Sequence, residues 1–100
     1  MASGNRWQLH EFVLCLDLYL KEGPVGNTHP RVTDLARDIG RTSGAIALRL
    51  ANFQYVDEND GGPGMSGGEK DCQPIWDLLA DKPEIVSGLA AVCRQLLEGR

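Results

Sequence analysis

Apolar residues recur along this chain mostly every three or four positions and rarely every second one, so the pattern predicts helices and no sheet. The first helix is expected from about Trp7 to Lys21. Leu9, Phe12, Val13, Leu16 and Leu20 line one face at helical spacing, while Leu14 and Leu18 fall almost opposite. A helix apolar on both sides belongs at the centre of a fold, or is shared between two surfaces as a dimer or docking contact. Lys21 to Thr28 reads as a loop from its Gly, Pro and Asn content. His29-Pro30 then opens a second helix, with Pro30 at the first position, where its missing N–H costs nothing.

In that second helix Leu35, Ala36 and Ile39 share a face. Gly40 ends it, because glycine takes the left-handed conformation without penalty. Thr42 and Ser43 are candidate caps for a third helix, in which Ile46, Leu50 and Phe53 share a face. Arg49 and Asn52 are expected to point away from it. The stretch from about 30 to 55 thus has the outline of a helix-turn-helix, whose second helix offers a polar face to a DNA groove. Arg49 departs from that pattern, standing where another apolar residue is usual.

Asp57 to Lys70 is a Gly-rich loop, and helix resumes from Asp71 to Ala80 with Pro74 expected in its first turn. Asp81-Lys82-Pro83-Glu84 opens the last helix, whose expected buried stripe is Ile85, Leu89, Val92, Cys93 and Leu96. Gly88 interrupts it, at a cost of ~1 kcal/mol relative to Ala unless another element packs closely there. With 100 residues and no internal repeat, the expectation is one all-α domain of about five helices.

The net charge of −4 counts against a DNA-coating protein. Its distribution tempers this, since Arg31, Arg37, Arg41 and Arg49 face only Asp34 and Asp38 in their stretch: four minus two, a local balance of +2. Cys15, Cys72 and Cys93 are odd in number and form no CxxC pair, and His10 and His29 lack zinc-site spacing. Buried reduced thiols, no metal and a cytoplasmic location are expected. There is no apolar run of membrane-spanning length and no signal-peptide pattern.

The parts of an active site are missing. Two histidines are too few for a histidine nuclease, Glu69 and Lys70 are adjacent rather than spaced as Glu-x-Lys, and no Gly-x-Ser-x-Gly turn occurs. Gly62 and Gly67 are followed by Gly68-Glu69-Lys70, which breaks the Walker spacing and argues against nucleotide hydrolysis. In the same loop Ser66, Gly67, Gly68 and Lys70 offer N–H groups and one positive charge to an anion. A binding protein without cofactor is expected, not an enzyme.

SGAIALRLANFQYVD, then MSGGEKD, then PIWDLLAD, preceded by the opening WQLHEFVLCLDLYL and a His-Pro helix start, resemble the N-terminal domain of McrA-like HNH endonucleases, which attack modified DNA. The resemblance covers roughly Trp7 to Asp81, and the HNH module is absent. It implies a reader that binds without cutting, akin to the sulfur-binding domains that recognise phosphorothioate DNA. The partner would be modified double-stranded DNA, together with a nuclease domain or subunit. The residues it implies are His29 and Arg31; Arg41, Thr42, Ser43 and Gly44; Arg49 and Asn52; and Ser66, Gly67, Gly68 and Lys70. Sulfur in place of a phosphate oxygen is larger and softer, so a shallow pocket at Gly44-Ala45 beside cationic contacts would suit it. Arg41 and Arg49 would contact phosphate or guanine, and Asn52 adenine. Two other readings remain: a plain sequence-specific helix-turn-helix regulator, and a protein-interaction adaptor using the two-sided first helix and an acidic surface.

Overall fold

A computed structural model describes residues 6–57 and 69–99. The fold is all-α. Five helices appear among the described residues: α1 (Leu9–Glu22), α2 (Pro30–Ile39), α3 (Ser43–Val56), α4 (Glu69–Leu79) and α5 (Pro83–Glu98).

Helix α1 is the axis of the molecule. Every residue from Glu11 to Tyr19 is buried, so both apolar faces read from the sequence are used. The helix packs against each of the other four, which follow one another around it, α2 on α3, α3 on α4 and α4 on α5. Its two-sidedness is therefore consumed inside the fold and leaves no docking face. Leu9 is the exception: it starts the helix and is 70% exposed, not part of the core stripe. Ile46, Leu50 and Phe53 of α3 pack on α1 as the spacing required, and all three are fully buried. Phe53, Tyr19 and Trp76 form an aromatic trio with ring centroids 5.7–6.4 Å apart. The Tyr19 hydroxyl donates to Asp57 at 2.7 Å, which satisfies the polar end of a buried ring.

The helix ends follow their local chemistry. His29 caps α2, its Nδ1 accepting from the Arg31 N–H at 3.1 Å, with Pro30 next. Gly40 adopts φ +70 and ψ +31, and both its N–H and that of Arg41 turn back to the Ala36 carbonyl. The Thr42 hydroxyl accepts from the Ala45 N–H at 3.1 Å and starts α3.

Two expectations are corrected. Helix α4 begins at Glu69, so Pro74 lies inside it and not in the first turn. The proline ring removes one donor and crowds the carbonyl four residues before it. The expected stripe of α5 is also turned outward. Ile85, Leu89, Val92 and Leu96 are 51%, 43%, 52% and 68% exposed, whereas Val86 and Ala90 are fully buried and Cys93 and Leu97 pack partly on the core. Both rows are apolar at helical spacing, and only packing chooses between them. The small Ala90 lets α5 lie close on α1, which the row of large side chains would prevent.

Candidate recognition surfaces

Among the described residues, those expected to meet DNA separate into four places. Arg41, Arg49 and Asn52 come together, the two arginines half-buried and Asn52 buried. Glu11, in the first turn of α1, receives the Arg41 guanidinium in a two-pronged pair, Nε to Oε2 and Nη2 to Oε1, both 2.9 Å. Its Oε1 also accepts the Gln8 N–H at 2.7 Å. The Arg41 side chain is 13% exposed and that of Glu11 only 6%. Burial alone would raise the Glu11 carboxyl. The hydrogen bonds from Arg41 and Gln8 and the charge of Arg41 outweigh it and hold the group below its ordinary value.

Trp7 covers this pair. The Arg41 and Arg49 guanidinium carbons lie 4.8 and 4.5 Å from the Trp7 ring centre, and Arg49 also lies 4.9 Å from that of Phe12. Arg49 donates to the Asn52 side-chain oxygen at 3.1 Å. Asn52 is 2% exposed and does not project into solvent. The expectation that Arg49 and Asn52 point away from the core is thus overturned. The flat guanidinium, stacked between rings, occupies the place of the apolar residue that the helix-turn-helix pattern calls for.

His29 and Arg31 stand at the start of α2 and turn toward α1, not outward together. Arg31 Nε is 3.2 Å from Glu22, and His29 Nε2 is 3.7 Å from the same carboxylate. Arg37 pairs with Asp34 at 3.3 Å and with Asp38 at 3.8 Å. The local surplus of +2 is therefore not a basic patch. Arg31 and Arg37 are matched by neighbouring acids at the surface, Arg41 by the buried Glu11, and Arg49, half-buried, is stacked on the Trp7 and Phe12 rings.

Thr42, Ser43 and Gly44 form the third place, the start of α3. Thr42 and Gly44 are exposed, and a Cβ built on Gly44 meets only the Thr42 hydroxyl, at 4.0 Å. The backbone there is accessible, with open space beside Gly44 among the described residues. Further along its outward side α3 carries Leu48 and Tyr55, 47% and 50% exposed, and no charge. Lys70 is exposed in the first turn of α4. Ser66, Gly67 and Gly68 lie outside the described residues.

Sequence reasoning missed Trp7 and Glu11 as members of the arginine cluster. The available signal was Glu11 itself, an acid within an otherwise apolar helix face. Asp17 carries the same signal: its side chain is 4% exposed and is met by Lys21 at 3.1 Å and Arg94 at 3.8 Å. A cleft of about 250 Å³ opens there between α1, α2 and α5, and its charged lining is self-cancelling, with Asp17, Asp34 and Asp38 against Lys21, Arg31 and Arg94.

The surface that stands out is the outward row of α5, where four large apolar side chains succeed one another at spacings of four, three and four. An apolar hollow of about 230 Å³, lined by His10, Cys93, Leu96 and Leu97, adjoins its C-terminal end. Cys15 and Cys72 are buried and Cys93 is half-buried, and burial pushes the Cys15 thiol far up, away from thiolate chemistry. Among the described residues no helix is long and apolar enough to cross a membrane. In comparisons with known proteins, no family model, no curated protein and no solved structure matches this chain.

Proposed function

We propose that this chain is a binding module without catalytic activity, and that it works by docking onto protein through the outward face of α5. The observation that carries the reading is the unbroken row of Ile85, Leu89, Val92 and Leu96, each at least 43% exposed. Scattered single apolar residues are normal on a surface, but a contiguous row on one helix marks a contact site. This is the adaptor reading, with its surface moved from α1 to α5.

The reading of modified DNA is the second proposal. One observation favours it: the start of α3 presents Thr42, Ser43 and Gly44 with first-turn N–H groups that precede the helix's own hydrogen bonds, a suitable end for a phosphate or phosphorothioate. Against it stand the inward arginines and the uncharged outward side of α3. Fluorescence-anisotropy titration with paired duplexes, alike except for one phosphorothioate linkage, separates the two proposals. The protein-docking reading expects no binding to either duplex at low salt. Salt-sensitive binding, tighter for the modified duplex and weakened by Gly44→Val, would overturn it in favour of a modification reader.

A further inference from the structure

We propose that the cleft between α1, α2 and α5 is a binding site for a small zwitterion, an α-amino acid with an apolar side chain. This site and the α5 docking surface stand or fall separately. A carboxylate at the floor of the cleft, a cation facing it, and the neutrality and size of the space between them point to this ligand.

Asp17 is the floor. An acid in the buried middle of α1 is costly unless its polar atoms find partners. Its side chain is 4% exposed, and both of its ion pairs end on the same oxygen: Lys21 Nζ lies 3.1 Å from Oδ2 and Arg94 Nη1 lies 3.8 Å from it. No group donates to Oδ1 among the described residues. Nor is Oδ1 sealed off, because among the described residues the one enclosed side-chain polar atom without a partner is Arg49 Nε. Oδ1 therefore keeps a path to solvent, and Asp17 borders the cleft. A side chain withdrawn from water, with one acceptor still open at the bottom of a recess, suits an ammonium group.

Arg94 is the opposing cation. Its single ion pair among the described residues is the contact with Asp17 through Nη1. At 3.8 Å that contact is too long for a hydrogen bond. The planar fork thus keeps its paired donors, the geometry that takes a carboxylate through two parallel bonds. The other two bases of the lining are more closely engaged, Lys21 with Asp17 at 3.1 Å and Arg31 with Glu22 at 3.2 Å. Arg94 also borders a second hollow of about 170 Å³, beside Asp38, Leu97 and Glu98, so its guanidinium has room to turn.

Charge and size select the ligand. The lining holds three acids, Asp17, Asp34 and Asp38, and three bases, Lys21, Arg31 and Arg94. A simple cation is repelled by the bases and a simple anion by the aspartates, whereas a zwitterion offers each the opposite charge. The ammonium lies on Asp17 Oδ1 and the carboxylate on Arg94. Leu18 and Leu35 complete the wall and suit a hydrocarbon side chain. The volume, about 250 Å³, lies just below the ~300 Å³ at which pockets for drug-sized ligands begin, so the ligand is small.

Proton–nitrogen correlation NMR of the whole isotope-labelled chain, titrated with L-leucine, tests this. Leucine should shift the amides of Asp17, Lys21, Asp38 and Arg94 saturably. Two half-ligands carry nearly the same hydrocarbon: isoamylamine has only the ammonium and isocaproate only the carboxylate. Each should bind at least tenfold more weakly than leucine. Asp17→Asn should weaken leucine binding at least tenfold. Should that variant fail to fold, Arg94→Gln, at a half-exposed position, carries the test. It should weaken leucine at least tenfold and leave isoamylamine unchanged or tighter, a split that a general loosening of the fold would not produce. Lys70→Gln, away from the cleft, should leave leucine binding as it is. Absence of saturable shifts with leucine overturns the site. Isoamylamine or isocaproate binding as tightly as leucine overturns the zwitterion as its ligand. A folded Asp17→Asn or Arg94→Gln that binds leucine like the parent overturns the assignment to this cleft.

Discussion

Arg41 shows how a residue type misleads when its neighbours are unknown. By sequence it is one of four arginines in a short stretch and a natural phosphate contact. In the fold it closes the two-pronged pair with Glu11 under the Trp7 ring. Loss of function in an Arg41 variant would accordingly report on folding before it reported on any ligand. Glu11→Gln is expected to cost about 2–3 kcal/mol at pH 7, somewhat less than the removal of one partner from a fully buried pair, because Arg41 keeps some solvent contact. The pH dependence follows from the lowered carboxyl. Its folded value lies below its ordinary 4.5, so its contribution is complete above that pH and disappears as pH falls through the folded value. Urea midpoints of the parent should thus fall toward those of Glu11→Gln as pH drops from 7 to 3, and a gap that stays constant would contradict the pairing. Thiols offer a second check at this scale. Maleimide should label Cys93 first, and Cys15 and Cys72 only at the rate of global unfolding, because both are fully buried. Fast labelling of all three in the folded protein would contradict the packing around α1.

At the scale of elements, α4 and α5 each depart from the sequence reading for a reason that local patterns do not contain. Pro74 is usually a mark of a helix's first turn, yet α4 starts at Glu69 and runs through it. Pro74→Ala is therefore expected to stabilise the protein by about 1 kcal/mol or more, by restoring a donor and relieving the ring contact. A thermal midpoint that does not rise would place the effective start of α4 nearer Cys72. Helix α5 has two apolar rows about one residue apart around its circumference. The row with the larger side chains is the stronger sequence signal, and it lost to the row with Ala90, which fits against α1. The ends of α2 and α3 needed no such arbitration. Gly40, Thr42 and His29-Pro30 act through their own backbone and side-chain hydrogen bonds, so their roles were legible before any packing was known.

At the scale of the molecule, the fold is a central helix wrapped by four others, and its functional character follows from what that wrapping leaves outside. The positive charges of the 31–49 stretch are matched or covered. The two-sided α1 is enclosed. Among the described residues the longest uncovered apolar row is that of α5, beside the smaller uncharged side of α3 and the single side chains of Leu9 and Leu78. That inventory is why protein docking stands ahead of DNA reading as the proposal. The duplex titration tests that ordering on the whole molecule.

The periodicity of apolar residues by itself determined that the chain is helical, roughly where each helix begins and ends, and that α1 is apolar on two sides, because spacing along a helix fixes which residues share a face; that both sides are buried inside the fold was decided by the packing. The caps and turn glycines were determined likewise, since their chemistry reaches no more than a few residues along the chain. Only the tertiary structure decided which of two apolar rows of α5 is buried, and that Arg49 and Asn52 turn inward. Those choices depend on the shape and polarity of partners distant in sequence: Ala90 against α1 in one case, Trp7 and Phe12 over the Arg49 guanidinium in the other. A helix pattern states that a face exists. What covers it is settled by the volumes and charges that meet there.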